Sequence, residues 1–342
     1  MTCRANVVKL MRFGHVMVDF CENELQRTHL LSWIHPSMAD PSQPQSSSKS
    51  LVFVKRTSST LFLWALVTAV FMSQLAWAYL GAITLLVMIA MLEYFKMLKA
   101  AKVACFPVFG LLTAVGYCGV IHWQFLQGRQ PDGNIDIFFT CFVAIGSFIL
   151  QLRRKIIGVE PLMAVAVNVL GFVYIPVLFN FAARILFVGD HGFETIGVIN
   201  YQGAFLLLWL LAVTKFTDMG AYITGSLIGR HKMIPHVSPA KTWEGFAGAI
   251  FFTQLVGIGL FLLFPDELVL LGGMMHVIIL GFVLSLLAVV GDLAESILKR
   301  SLSAKDSGQM LPGIGGSLDL IDSICFTAPA LFFYLHWILH TA

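Results

Sequence analysis

Apolar runs long enough to cross a bilayer, about 20 residues each, follow one another along this chain from Thr57 to its end, each closed by a short polar stretch. They fall near 58–75, 77–95, 103–123, 135–152, 162–182, 201–218, 243–264, 268–290 and 321–340, separated in the first case only by a short Gln74–Ala78 turn. The pattern predicts an all-α, polytopic membrane protein with about nine transmembrane helices. Residues 1–57 differ. Met1 to Ser32 mixes polar, charged and apolar positions without the basic region, apolar core and cleavage site of a signal peptide. Pro36 to Ser50 is rich in Pro, Ser and Gln, the composition of a disordered linker. The division expected is an N-terminal extension and linker over 1–57, then a transmembrane domain over 58–342 with its chemistry in 214–323.

Composition agrees with the periodicity. The 342 residues are 58% hydrophobic and include 29 Phe, and a mean hydropathy of +0.82 excludes an ordinary soluble domain. The net charge of +3 is too small to suggest nucleic acid, and none is expected as a partner. The positions of the charges matter more. Lys55 and Arg56, then Lys96, Lys99 and Lys102, then Arg153 to Lys155, Arg230, Lys232 and Lys241, and finally Lys299, Arg300 and Lys305 all fall on one side of the nine-span map. Beyond the linker only Arg129 and Arg184 fall on the other side, and Lys215 sits within a span. Positively charged loops stay in the cytoplasm, so the N-terminus and the charged stretches are expected there.

The acidic residues are harder to explain by topology, which has little use for carboxylates. Gly291 to Ser323 holds Asp292, Glu295, Asp306, Asp319 and Asp322 beside Lys299, Arg300 and Lys305, in a chain with only 12% charged residues. A helix running on from Gly291 places Asp292, Glu295, Ser296 and Lys299 on one face, and Asp319 and Asp322 share a face of the next. Between them, Pro312-Gly313-Ile314-Gly315-Gly316 is a loop whose missing side chains let a phosphate or ion approach the backbone. Carboxylates for a hard cation, bases for phosphate oxygens and a glycine loop are the parts of phosphoryl or nucleotidyl transfer. The plainer reading is a charged loop that only enforces topology.

A second polar stretch follows the sixth span, from Thr217-Asp218 through Gly229-Arg230-His231-Lys232 to Ser238-Pro239-Ala240-Lys241-Thr242-Trp243-Glu244-Gly245. It is expected to be a cytoplasmic loop. Ser238-Pro239 should turn the chain and put Lys241 and Thr242 at a helix start, where free N–H groups favour anions. Asp218 lies near membrane depth, where an ionisable group is a functional candidate, with Lys215 as its expected partner. Glu93 is either an interfacial charge or part of a lipid-side cavity. His276 is expected to bond a neighbouring helix, and the six cysteines show no CxxC pairing and are taken as small buried residues.

Together the two stretches resemble the phosphatidate cytidylyltransferase (CDP-diacylglycerol synthase) family of bacterial membrane enzymes. The similarity covers roughly residues 58–342, and its specific part is the C-terminal third. The resemblance implies transfer of CMP from CTP to phosphatidic acid in the inner membrane, with the active site facing the cytoplasm. It implies Mg²⁺ held by Asp292, Asp319 and Asp322, with K⁺ as a candidate second cation. Lys299 and Arg300 join those aspartates as catalytic residues, and Ser238, Lys241, Thr242 and Lys305 are implied to bind substrate phosphate. Ser296, Asp306, Gly315 and Gly316 complete the implied substrate-binding set, and the resemblance is compatible with a homodimer. Ile314 and Leu320 stand where the family pattern has His and Arg. Two other classes stay open from the residues alone: an ion-coupled transporter, and a lipid kinase or synthase with another lipid phosphate. A transporter would place its acids near the bilayer midplane, often in both halves of a repeat, and no matching second half is present.

Overall fold

The computed structural model describes residues 69–71, 73, 75–189, 201–304, 308 and 316–340, with residue 201 by its backbone alone. All of them lie in one compact unit, Ser50–Ala342. Most of the first expected span, near 58–75, falls outside the described residues, as does all of the extension and linker over 1–57.

Among the described residues, eight helical segments are long and apolar enough to cross a membrane. They are α1 (Ala76–Ala100), α2 (Pro107–Leu126), α3 (Gly133–Gln151), α4 (Glu160–Phe172) continued through a π-turn into α5 (Leu178–Leu186), α6 (Tyr201–Ile228), α7 (Trp243–Leu263), α8 (Met274–Ser301) and α9 (Ser317–Tyr334). Helices and near-absence of strand follow from the solvent, because a bilayer offers no partner for a free backbone N–H or C=O. The chain is a multi-pass membrane protein.

Local chemistry sets the helix ends. Pro107 occupies the first turn of α2, where no N–H bond is lost. The Asp132 side chain caps α3 by accepting from the Asn134 N–H at 3.1 Å. Pro176 has no N–H to give, and the helix loosens around it into the π-turn Val173–Val177. Asn180 donates to the Pro176 carbonyl at 2.9 Å and receives His122 Nε2 at 3.0 Å, tying α5 to α2.

Two helices run further than their apolar stretches suggest. The segment from Thr217 to Ile228, expected as loop, is the C-terminal part of α6, and α8 continues through the acidic motif to Ser301. The cause for α6 is its packing on α7. A Cβ at Gly245 would lie 2.8 Å from the Ala221 carbonyl, one at Gly220 would lie 2.8 Å from the Gly248 carbonyl, and one at Gly248 would run into Thr224. Small residues let the two backbones touch, and Thr217 with Thr253 (2.6 Å) and Trp209 Nε1 with the Gly257 carbonyl (3.0 Å) lock the contact. Between these helices sits a two-stranded antiparallel hairpin, β1 (Lys232–Ile234) and β2 (Ser238–Thr242). Ser238-Pro239 is therefore strand rather than turn, and the chain reverses just before it. Pro239 is tolerated because each strand of so small a hairpin has a free edge.

Candidate active site

The hairpin, the far end of α8 and the start of α9 meet at one end of the bundle, together with the polar end of α6. Thr242 is buried and caps α7, accepting from the Gly245 N–H at 3.1 Å. Glu244 folds back on the hairpin, taking the backbone N–H groups of Arg230 (3.1 Å) and His231 (3.2 Å) and the His231 ring at 2.5 Å. With the hairpin held in this way, Lys241 at the end of β2 reaches α8. Its amine donates to the Val289 carbonyl at 3.2 Å and pairs with Asp292 at 2.8 Å.

Close approach of α8 and α9 does the rest. A Cβ at Gly291 would lie 2.8 Å from both the Asp322 carbonyl and Ser323 Cα, so only glycine lets the helices come this near. Asp292, Glu295 and Asp322 converge as a result, each offering an oxygen within 4.8 Å of the others. Glu295 is 1% exposed. Its Oε2 pairs with Lys299 one turn on at 2.6 Å, and its Oε1 has no hydrogen-bond partner among the described residues.

Asp319 adjoins this group without belonging to it. Its Oδ1 receives Lys299 at 2.9 Å and its Oδ2 receives the Gly316 N–H at 2.8 Å, closing the first turn of α9. Lys299 thus bridges Glu295 and Asp319. Lys215 on α6 donates to the Leu320 carbonyl at 3.1 Å and stands 3.8 Å from Asp218, the partner expected for it. Among the described residues along this seam, five carboxylates face three lysines. The excess of negative charge, the unpartnered Glu295 oxygen and an all-oxygen donor set fit a hard divalent cation such as Mg²⁺.

The other sequence candidates sort by position. Arg300 is exposed and pairs with no described carboxylate. Ser238 and Ser296 are partly buried and make no described side-chain hydrogen bond. Gly316 is the N-cap of α9. Lys305, Asp306, Ile314 and Gly315 lie outside the described residues. His276 bonds the Tyr334 hydroxyl at 2.8 Å, as expected of a packing histidine. Sequence reasoning left Glu295 in the motif without a role, although its spacing from Asp292 and Lys299 was the available signal. Glu93, expected either as an interfacial charge or as part of a lipid-side cavity, is 1% exposed and hydrogen-bonded to the start of α9. No nearby residue in the sequence marks that contact.

A bundle of membrane-spanning helices that gathers carboxylates and lysines at one end has the make-up of an integral-membrane enzyme acting on phosphates. The profile of the Cytidylyltransferase family matches residues 54–338, and the chain belongs to that family. "Phosphatidate cytidylyltransferase" of Staphylococcus aureus (strain COL) is 29% identical over 262 residues, covering 72% of this chain and 96% of that protein. "Phosphatidate cytidylyltransferase" of Haemophilus influenzae is 39% identical over a shorter stretch of 141 residues, 41% of this chain and 48% of that protein. The "Uncharacterized protein YnbB" of Escherichia coli (strain K12) is 30% identical over 244 residues, covering 68% of this chain and 78% of that protein.

Proposed function

We propose that this chain joins CTP to phosphatidic acid, forming CDP-diacylglycerol and releasing pyrophosphate. The observation that carries the reading is the convergence of Asp292, Glu295 and Asp322 beside Lys241 and Lys299 in a member of the cytidylyltransferase family. The names of the S. aureus and H. influenzae relatives supply the substrates. A phosphatidate oxygen attacks the α-phosphorus of CTP, a new P–O bond forms, the bond between α- and β-phosphates breaks, and pyrophosphate leaves with its electron pair. Chemistry of this kind asks the protein for positioning and charge neutralisation rather than covalent participation.

Asp292, Glu295 and Asp322 would hold Mg²⁺, with Asp319 next to them across Lys299. When bound, the ion neutralises charge on the triphosphate and on the departing pyrophosphate. Lys241 and Lys299 hold the carboxylates in place and would lie beside the reacting phosphates, and Arg300, exposed and paired with no described carboxylate, would take a phosphate arriving from water. The lysine- and arginine-rich ends of α1, α3, α6 and α8 share one side of the membrane. The positive-inside rule makes that side cytoplasmic, which in a bacterium is the inner face of the inner membrane. CTP then arrives from the cytoplasm and phosphatidate laterally from the inner leaflet.

The test is CTP-dependent formation of CDP-diacylglycerol from phosphatidic acid by the purified full chain in detergent, with and without Mg²⁺. Product with matching pyrophosphate, lost in chelator and restored by Mg²⁺, supports the reading. A chain that consumes CTP only with a different lipid phosphate would keep the chemistry and change the acceptor. No consumption of CTP with any lipid phosphate would overturn it.

A further inference from the structure

We propose that Glu93, on a helix that contributes no other group to the site, is a positioning residue that sets where α9 delivers Asp319 and Asp322. The inference rests on the reaction proposed above. Glu93 lies two turns from the end of α1 and is 1% exposed. Its Oε2 accepts from Ser317 Oγ at 2.9 Å and from the Leu318 N–H at 3.1 Å, contacts that join positions 224 and 225 residues apart.

Those two donors belong to the first turn of α9, whose N-cap is Gly316. A glycine has no side chain with which to cap a helix, so the N–H groups there need partners from elsewhere. Asp319 reaches back to the Gly316 N–H at 2.8 Å, and Glu93 takes the Leu318 N–H from outside the helix. A carboxylate at a helix N-terminus is also favoured by the helix dipole. Holding the backbone at residue 318 fixes both the axial position and the rotation of a helix whose next residue, Asp319, meets Lys299 and whose residue one turn later, Asp322, meets Asp292 and Glu295.

A purely packing role would be served by an apolar side chain. The chain instead buries a carboxyl group whose second oxygen, Oε1, has no hydrogen-bond partner among the described residues, an arrangement that proteins avoid unless something requires it. The backbone at Gly308 covers that oxygen so closely that a Cβ there would run into it. The carboxyl thus lies between the start of α9 and the backbone of Gly308.

The experiment compares wild type with Glu93→Ala, Glu93→Gln and Ser317→Ala in the purified full chain. It reads kcat and KM for both substrates, the affinity for Mn²⁺ by electron paramagnetic resonance without substrate, and thermal melting. Misplacement of this kind predicts a fall in kcat of about 10²-fold for Glu93→Ala with KM for phosphatidate unchanged. It also predicts Mn²⁺ affinity weakened roughly 10–100-fold, the cost of losing an outer-shell support. Glu93→Gln keeps an acceptor oxygen and recovers part of both losses, and Ser317→Ala shows a smaller loss in the same direction. A folded Glu93→Ala with wild-type Mn²⁺ affinity overturns the inference, as does a kcat that falls only in proportion to the folded fraction. Should Glu93→Ala fail to fold, Ser317→Ala decides: unchanged Mn²⁺ affinity and kcat there overturn the inference equally. Wild type without turnover of CTP and phosphatidate would sink the reaction instead, leaving the effect of Glu93 on Mn²⁺ affinity to be judged separately.

Discussion

Ionisable groups are buried at both ends of this bundle, and the two ends treat them differently. Away from the acid cluster, Asp136 of α3 accepts from the Tyr117 hydroxyl at 2.7 Å and from Arg184 of α5 at 2.8 Å on each oxygen. The Arg184 guanidinium also lies 5.0 Å from the centre of the Phe181 ring. Both carboxylate oxygens there are matched by donors from the protein itself. At the other end Asp292, Glu295 and Asp322 crowd together, and among the described residues a buried Glu295 oxygen has no partner and five carboxylates share three lysines. A charge within a membrane span is a functional candidate by default. The stronger candidate here is the end whose carboxylates outnumber their described partners.

Removing one carboxylate from each end should separate the two roles most sharply. Asp322→Asn is expected to lower turnover on the order of 10²-fold or more, the scale of lost electrostatic preorganisation, while melting stays near wild type. Asp292→Asn should act in the same way. Asp136→Ala should do the reverse. It strands Arg184 without its partner and should cost about 3–5 kcal/mol of stability, read by thermal unfolding, with turnover per folded molecule retained. If Asp136→Ala left stability untouched but abolished turnover, the distinction between the ends would fail.

Lys299→Met sharpens the comparison within the cluster. It frees Glu295 and Asp319 from their shared cation and should reduce kcat roughly 10–100-fold, the scale of losing a group that orients metal-binding carboxylates. A rise in KM for CTP alone would instead assign Lys299 to nucleotide binding. The smallest effect is expected at Thr242, whose buried hydroxyl caps α7. Thr242→Ala should cost about 1 kcal/mol, seen as a lowered melting temperature. Turnover should suffer only as far as Lys241, the neighbouring residue, loses its hold on Asp292.

Much of this was legible in the chain, and the limits have physical causes. Span positions could be read because about 20 apolar residues are needed to cross hydrocarbon. The helix running on from Gly291 was readable too, but the end of α6 was not, because a helix needs internal hydrogen bonds rather than apolarity to continue, and α6 runs on to Ile228 once packed. The acidic spacing around Asp292 was visible, and so was the shared face of Asp319 and Asp322. Which oxygens meet was not, since that depends on how closely α8 approaches α9 at Gly291. The Ser238-Pro239 pair suggested a turn, but the hairpin pairing of β1 with β2 governed instead. Glu93 lay furthest from reach, because its partners are 224 and 225 residues away and no local pattern carries that information.

The most direct test of the central claim is a titration of purified wild type, Glu295→Gln, Asp319→Asn and Asp136→Asn with Mn²⁺, followed by electron paramagnetic resonance without substrate. If Asp292, Glu295 and Asp322 form the cation site, Glu295→Gln weakens binding at least roughly tenfold, Asp319→Asn weakens it less, and Asp136→Asn binds as wild type does. Equal affinity in wild type and Glu295→Gln, or a loss confined to Asp319→Asn, would contradict the account and move the ion to the Lys299 side of the cluster.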